Sequence, residues 1–275
     1  MLTLRWLKPL QKSFRTLKTI NHGLGNFMNP IFKPIFSIFE PPKARIMPKL
    51  RNDTGKTLIQ TVSKSSFTPS NSYIITSRDG TVIVADPTAM PTEDELDLRP
   101  DVITVTHPHS DHIDPDFLDR HNCRKSISRV ESFDVADVHI YSVGSSHRGS
   151  HISVKSPSNV IYVFEVDGLR IAHMGDIGQD HLTVKQLESL GRIDVAFMQF
   201  SNPFSGMFYS EKGFNVIEEL KPQIIIPTHS NPRSTRKIGK MLGKLEILEN
   251  CFAVSPDDLA GGQRKVVWLK NTLKY

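Results

Sequence analysis

The sequence predicts an α/β protein whose sheets are covered by helices, and three observations support this. Two β-rich runs flank an Asp-Gly pair in SYIITSRDGTVIVADP and again in NVIYVFEVDGLRIAHMGD, which is the pattern of a hairpin with a tight turn. The segments LTVKQLESLGRIDVAFMQF and EKGFNVIEELKPQIIIPTHS each have the pattern of a helix followed by a strand. The chain has 275 residues, 38% of them hydrophobic, so it can bury one sizeable core.

Four of the predicted strands end at a residue that can ligate a metal ion. The strand DVITVTH ends at His107, and HIYSVGSSH ends at His147. The second hairpin ends at Asp176, and the strand in IIIPTHS ends at His229. Because loops at one edge of a sheet structure can converge on a single point, we expect these four residues to meet.

The densest polar cluster of the sequence is ITVTHPHSDHID, residues 103–114, which holds three histidines and two aspartates. His107 and His109 lie two residues apart in a predicted extended loop, so both can face one ion. Asp111 and His112 follow where the chain turns and can face a second ion. Neutral imidazoles and carboxylates suit zinc, manganese or iron. The cluster therefore predicts metal chemistry that depends on His and Asp.

The two cysteines, Cys123 and Cys251, lie far apart in the sequence. This argues against a disulfide scaffold and against a CxxC zinc site, and it suits a reducing compartment. The sequence contains no apolar stretch of about 18 residues and no continuous signal-peptide core. We expect a cytoplasmic protein that is not secreted, with a membrane-surface or organelle location as alternatives.

The basic charge is concentrated in the first 51 residues, which we treat as an N-terminal extension of a domain at 52–275. The extension has ten Lys or Arg and one acid, a net charge of +9, whereas the remaining 24 basic and 28 acidic residues give −4. Apolar residues at helical spacing predict a basic amphipathic helix over residues 6–20. The extension is then an arm packed on the domain, an interfacial membrane helix or a transit sequence. The acidic body argues against a nucleic-acid groove.

The segment THPHSDH at 106–112 resembles the HxHxDH signature of the metallo-β-lactamase superfamily. The later elements follow in the family's order, with GSSH at His147, HMGD at Asp176 and IPTHS at His229. The resemblance covers about residues 57–235. The segment NVIYVFEVDGLRIAHMGDIG resembles the branch of metal-dependent hydrolases that includes ascorbate-phosphate lactonase.

This resemblance implies a four-layer αββα sandwich with a binuclear metal site at its edge. We expect two divalent metal ions there, with zinc favoured and manganese or iron as alternatives. The implied ligands of one ion are His107, His109 and His147. The implied ligands of the other are Asp111, His112 and His229, and Asp176 is the implied bridging carboxylate. Asp111 would in addition accept a proton from the attacking water.

Some neighbouring residues have two interpretations. His151 lies four residues after His147 in the same Ser/Gly-rich loop and is the alternative ligand, although the position after the strand favours His147. Asp114 can either orient a ligand imidazole or cap the following helix, and Asp86, in the VADP turn, has the same two interpretations. His173 alternates with Ile171 and is predicted to be structural. The remaining four histidines are predicted to be non-catalytic: His22, His121, His139 and His181.

From a site with two metal ions we predict hydrolysis of an ester, lactone or phosphodiester by a metal-bridged hydroxide. Coordination to metal lowers the pKa of water from about 15.7 towards 7, so hydroxide forms near neutral pH. A non-catalytic metal-binding scaffold and a nuclease of the same superfamily are the alternatives. We expect a small-molecule substrate, and membrane contact through residues 1–40 if the extension is interfacial. The loop QFSNPFSGMFYS at 199–210 either walls the substrate site with apolar groups or packs on itself. Its large apolar residues are Phe200, Phe204, Met207, Phe208 and Tyr209.

Overall fold

Two mixed β-sheets form the centre of the structure, a computed structural model that describes residues 51–65, 71–153, 155–200 and 211–273. Residues 1–50 of the predicted extension and the loop residues 201–210 lie outside the described residues. The strands are, in chain order, β1 (Thr57–Gln60), β2 (Tyr73–Thr76), β3 (Val82–Ala85), β4 (Val102–Val105), β5 (Arg124–Ile127), β6 (Ser132–Val135), β7 (Val138–Ser145), β8 (Asn159–Val166), β9 (Leu169–His173), β10 (Val195–Gln199), β11 (Ile224–Thr228), β12 (Lys244–Glu249), β13 (Cys251–Val254) and β14 (Lys265–Lys270).

The first sheet has six strands in the order β13-β1-β2-β3-β4-β5, and the second has eight in the order β12-β14-β11-β10-β9-β8-β7-β6. In the second sheet, β9, β10 and β11 are parallel, so the loops that follow them leave the sheet at the same edge. In the first sheet, β3, β4 and β5 are parallel. Parallel neighbours place the carboxyl ends of their strands together, which is where sites form in such sheets.

Helices cover the outer face of each sheet. They are α1 (Pro115–Arg120), α2 (Val184–Leu190), α3 (Lys212–Leu220) and α4 (Pro232–Leu242). Phe117 and Leu118 of α1 pack with residues of the first sheet, whereas Leu190 of α2, Val216 of α3 and Ile238 of α4 pack with residues of the second. The predicted four-layer αββα sandwich is confirmed.

Strand β8 shows why the second sheet needs apolar residues on both faces. Tyr162 and Phe164 belong to the core between the sheets, while Ile161 and Val163 belong to the core under the helices. Successive side chains of a strand point to opposite faces, so a sheet covered on both sides has no polar alternation. Each of these four side chains is fully buried.

Both predicted hairpins form. Strands β2 and β3 pair antiparallel around the Asp79-Gly80 turn, where Gly80 has φ +100°. Strands β8 and β9 pair around Asp167 and Gly168, both in the left-handed region with φ of 51° and 80°. Asp and Gly tolerate this backbone, which explains the signal in the sequence.

The four strands that carry the predicted ligands come from both sheets. Strand β4 belongs to the first sheet, and β7, β9 and β11 belong to the second. The predicted convergence therefore occurs where the two sheets end together. Within the described residues, no helix has the length and apolar character needed to cross a membrane.

Candidate metal centre

The structure brings all seven predicted ligands into two adjacent groups. His107, His109 and His147 form one group in which one potential ligand atom of each residue lies within 4.8 Å of the others. The second group meets the same distance limit and consists of Asp111, His112, Asp176 and His229. Apart from Asp111, His109 and His147, the side chains are largely buried. The three-histidine group is the one that the resemblance implied, and in the second group Asp176 joins the other three residues.

Asp176 lies between the two groups. Its Oδ1 is 3.3 Å from Nε2 of His112 and 3.4 Å from Nε2 of His229. Its Oδ2 is 3.5 Å from Nε2 of His147 and 3.8 Å from Nε2 of His107. Each carboxylate oxygen thus faces a different group, as a bridging ligand requires.

A tight turn after β4 places the HxHxDH residues. The amide of His112 donates to the His109 carbonyl at 2.9 Å, and this turn reverses the chain so that both rings reach the same cluster. The Asp114 carboxylate caps α1 by accepting from the Phe117 amide at 3.0 Å, and it also accepts from the Met90 amide. Of the two interpretations of Asp114, the structure therefore supports the helix cap.

Asp86 is the residue that orients a predicted ligand. Its Oδ2 accepts a hydrogen bond from Nδ1 of His112 at 2.6 Å, and both side chains are buried. Thr106 holds the same carboxylate by donating its amide to Oδ1 and its hydroxyl to Oδ2. With Nδ1 engaged, the Nε2 lone pair of His112 faces Asp176 and His229, so the carboxylate fixes the tautomer that a metal needs.

Asn71 supports His229 and was not found by sequence reasoning. The Asn71 amide nitrogen lies 2.8 Å from Nε2 of His229, and its oxygen accepts from the His229 amide at 3.3 Å. The same amide nitrogen donates to the Asp111 carbonyl. Asn71 is 1% exposed and precedes β2, where no spacing pattern marks it. His229 itself has a left-handed φ of 47°, a conformation that is costly for a non-glycine residue.

A second asparagine, Asn159, holds the Asp176 loop and was also missed. Its oxygen accepts from the Asp176 amide at 3.1 Å, and its amide group donates to the Met174 carbonyl at 2.9 Å. Gly175 has φ +57°, and a Cβ there would overlap the Asn159 side chain. The glycine next to Asp176 is therefore required by backbone geometry and by close packing.

The unpartnered polar atoms of the site fit a cation. Among the described residues, Nε2 of His107, Nε2 of His147 and Oδ1 of Asp176 are buried without a hydrogen bond. Buried polar atoms without partners are costly and rare, so a clustered set needs an explanation. The Nε2 atoms of His112 and His229 are also only 3.2 Å apart. A divalent ion would satisfy these lone pairs, and imidazole and carboxylate are ligands that zinc accepts.

Electrostatics in the cluster keep its carboxylates charged. Burial alone raises the pKa of Asp176, but His229 and His112 outweigh it and hold that pKa far below its usual range. The pKa of Asp111 falls to about 2, chiefly because His229 donates a hydrogen bond to it. Burial lowers the pKa of His112, but Asp86 and Asp176 outweigh burial and raise this pKa to about 10. In the protein alone, protons thus balance the negative charge that a metal ion would otherwise neutralise.

The pKa of His107 shifts in the opposite direction from that of His112. Burial lowers its pKa to about 3, and the charge on nearby His112 acts in the same direction. Its ring packs at 4.5 Å from His109 and 5.0 Å from His147, between ring centroids. The lowered pKa keeps His107 neutral, which is the form in which an imidazole nitrogen binds metal.

The geometry also separates His147 from its alternative. His147 lies in the cluster, and its amide donates to the Ser158 hydroxyl, whereas His151 is exposed and belongs to neither ligand group. His173 is buried, its ring contacts Tyr73 and Phe197, and its Nδ1 lies 3.6 Å from Asp86. The remaining predicted non-catalytic histidines among the described residues lie outside both ligand groups: His121, His139 and His181.

Fold and site together define a metallo-β-lactamase-fold protein with a His/Asp cluster able to hold metal ions. Residues 66–229 match the family model described as "Beta-lactamase superfamily domain", and the chain belongs to this family. The family resemblance predicted from HxHxDH and the later motifs is confirmed at this level.

Individual relatives agree with the family assignment. A "UPF0173 metal-dependent hydrolase" from Thermococcus onnurineus (strain NA1) is 26% identical over 176 residues, which are 54% of this chain and 74% of the relative. A Thermotoga maritima structure described as a Zn-dependent hydrolase of the metallo-β-lactamase superfamily has a TM-score of 0.56 at 22% identity, covering 78% of this chain and all of that one. Igni18, a metallo hydrolase from Ignicoccus hospitalis, has a TM-score of 0.52 at 15% identity, covering 80% and 97%. These two structures support the fold.

Proposed function

We propose that this protein is a hydrolase that works with two divalent metal ions on an ester, lactone or phosphodiester substrate. The observation that carries the proposal is the position of Asp176, whose two oxygens face two separate groups of ligand atoms. Zinc suits the ligand set, with manganese or iron as alternatives. The similarity to a relative named a metal-dependent hydrolase supports the reaction class.

The chain supplies ligands, orientation and a proton acceptor. When bound, two divalent ions lower the pKa of a water molecule to about 7 and polarise the substrate oxygen. His107, His109 and His147 would hold one ion, Asp111, His112 and His229 would hold the other, and Asp176 would be shared by both. Asp86 keeps the ring of His112 in its ligating tautomer through the hydrogen bond at Nδ1.

Asp111 is the proposed catalytic base. Its side chain is 36% exposed, whereas that of Asp176 is 11% exposed, so Asp111 is the carboxylate that an incoming water can reach. Its Oδ2 lies 3.2 Å from Nε2 of His229, which fixes the direction of the carboxylate. Asp111 accepts the proton of the attacking water and then delivers it to the leaving group.

The proposal is tested with matched chromogenic phosphodiester and lactone substrates and zinc- or manganese-loaded protein. Asp111→Ala and His229→Ala should each abolish turnover, while His151→Ala should retain it because His151 lies outside the cluster. Turnover of the lactone alone supports the lactonase-like branch, and turnover of the phosphodiester alone supports a nuclease or phospholipid-cleaving role. Turnover that survives in both cluster variants contradicts the proposed site. Metal binding without any turnover favours the scaffold alternative.

Membrane contact through residues 1–40 is a separate proposal, based on the basic, apolar composition of that segment. Lys8→Glu, Lys12→Glu and Arg15→Glu together should reduce flotation of the full chain with anionic liposomes. Equal flotation of the variant and the unaltered protein would remove the proposal. Neutral liposomes provide the control for non-electrostatic binding.

A further inference from the structure

The exposed face of α4 is strongly basic. Residues 232–244 contain five Lys or Arg and no acid, a net charge of +5, although residues 52–275 as a whole carry −4. The five cations are spaced three or four residues apart, which places them on a single stripe of the helix. All five are exposed to solvent: Arg233, Arg236, Lys237, Lys240 and Lys244. This surface is thus opposite in charge to the domain that carries it.

The opposite face of α4 is fixed in the core, so the basic face points outward. Ile238 is fully buried and Leu242 is nearly so, and both belong to the core under the helices. Gly239 lies against the edge strand β12, where an added Cβ would come within 2.7 Å of Cβ of Leu245. The Asn231 side chain caps the first turn of the helix. The cations are therefore presented together on a well-anchored element.

The cations do not stabilise α4 itself. Arg233 lies in the first turn, where the positive end of the helix disfavours a cation, and this turn contains no acid. Arg236 and Lys240 are four residues apart, and like charges at this spacing destabilise a helix. The acid recorded near the stripe is Glu246, whose carboxylate lies 4.0 Å from Nζ of Lys244. Residues that break a local rule without a local gain are expected at functional sites.

Exposed apolar side chains accompany the cations. Met241 follows Lys240 on α4 and is 60% exposed. Ile247 of β12 is 50% exposed, and strand alternation places it on the same face of the sheet as Leu245, the residue that packs against α4. The outer surface formed by α4 and β12 thus combines positive charge with apolar groups in water.

An anionic lipid bilayer is the partner that fits this combination. Its negative surface attracts clustered Lys and Arg side chains, and the boundary between headgroups and acyl chains accepts apolar side chains. A duplex nucleic acid presents phosphates for the cations but has no apolar layer for Met241 and Ile247. Charge and apolar exposure together therefore favour the bilayer.

We propose that the basic face of α4, with Met241 and Ile247 beside it, is a docking surface for an anionic lipid bilayer. The proposal goes beyond the hydrolase function and does not depend on it. It is also distinct from membrane contact through residues 1–40, because its residues belong to the domain. The helix begins at Pro232, three residues after the proposed ligand His229, so the docking surface starts beside the metal centre.

The test measures flotation of the full chain with vesicles of equal parts phosphatidylcholine and phosphatidylserine, and with vesicles of phosphatidylcholine alone. The combined variant Arg233→Gln, Arg236→Gln and Lys240→Gln should bind the anionic vesicles about 100-fold more weakly, because each cation near a charged leaflet contributes about fivefold. Its Tm should not fall, because Gln is a good helix former and the repulsion is removed. The matched control changes three exposed cations outside α4 and β12 and should alter binding by less than about twofold. These substitutions are Arg78→Gln, Lys155→Gln and Lys185→Gln.

The same comparison in a chain that also carries Lys8→Glu, Lys12→Glu and Arg15→Glu separates α4 from the extension. The loss caused by the Gln substitutions in α4 should persist there, and Met241→Gln should weaken binding about three- to tenfold at unchanged charge. Equal binding of the α4 variant and its parent in both backgrounds overturns the docking surface, even if the extension binds vesicles. Absence of binding by the unaltered chain overturns it as well. Binding of a duplex DNA oligonucleotide that depends on the α4 cations, without vesicle binding, would assign the surface to nucleic acid and overturn the lipid proposal.

Discussion

Oδ2 of Asp86 lies 2.6 Å from Nδ1 of His112, and both side chains are buried beneath the ligand cluster. The carboxylate reaches this position because Asp86 follows β3 with a left-handed φ of 48°. Thr106 holds it from the neighbouring strand β4 through two hydrogen bonds. Strained backbone at functional positions persists when surrounding contacts determine it, and here those contacts are the hydrogen bonds of the carboxylate.

Replacement of Asp86 by Asn should weaken metal binding about 10- to 100-fold, because a neutral partner no longer fixes the tautomer and basicity of His112. Metal affinity can be measured by competition with a chromophoric chelator. Asp114→Asn is the matched control, since Asp114 caps α1 and its hydrogen bonds within the described residues go to the Phe117 and Met90 amides and not to a predicted ligand side chain. Equal losses of affinity in the two variants would contradict an orienting role for Asp86.

The choice between His147 and His151 can be tested by metal content. His147→Ala should lose one of the two ions or bind it weakly, because Nε2 of His147 is a buried, unpartnered atom of the cluster. His151→Ala should retain two ions per chain, because the His151 side chain is exposed and outside the cluster. Metal content after gel filtration, measured by mass spectrometry of the metals, gives the result. Loss of an ion in the His151 variant would reverse the assignment.

Gly178 joins the loop of His147 to the loop of Asp176. Its amide donates to the Ser146 carbonyl at 2.7 Å, and a Cβ on Gly178 would overlap the His147 carbonyl oxygen. Gly178→Ala should therefore displace His147 and lower both stability and metal content, with a loss of about 1–3 kcal/mol in unfolding free energy as for other overpacked sites.

Gly261→Ala provides the control for this substitution. A Cβ on Gly261 meets no atom within 4 Å, so unfolding free energy should change by less than about 0.5 kcal/mol. Chemical denaturation of both variants measures the difference. An unaltered metal content in Gly178→Ala would show that the two loops adjust independently.

The sequence predicted the ligand cluster better than it predicted the residues that support it. HxHxDH, Asp176 and His229 follow apolar strands at positions where loops must begin, so pattern and chemistry agree. Asn71 and Asn159 hold His229 and Asp176 from distant parts of the chain, 158 and 17 residues away. A contact of this kind depends on the tertiary fold, and a single asparagine carries no spacing pattern that could reveal it.

Strands with a local sequence signal were predicted, whereas strand pairings that depend on the tertiary fold were not. The hairpins β2–β3 and β8–β9 were predicted because an Asp-Gly turn is a local signal. The pairing of β1 with β13 joins Thr57 to Val254 and depends on how the chain returns to the first sheet. Strand β12 lies at the edge of the second sheet, and its residues are exposed or half-buried. No continuous apolar run therefore marks this strand in the sequence.

Zinc should stabilise the folded protein, because the cluster places unpartnered ligand atoms and two carboxylates around one point. Binding of a ligand at 100 times its Kd adds about 2.7 kcal/mol to the unfolding free energy. For a domain of this size, 1 kcal/mol shifts Tm by about 2–4 °C, so we expect a rise of roughly 5–11 °C between chelator-treated and zinc-loaded protein. Differential scanning calorimetry measures the shift, and His229→Ala should reduce it because one ion loses a ligand. The same Tm with chelator and with zinc in the unaltered chain would show that the cluster does not bind the metal.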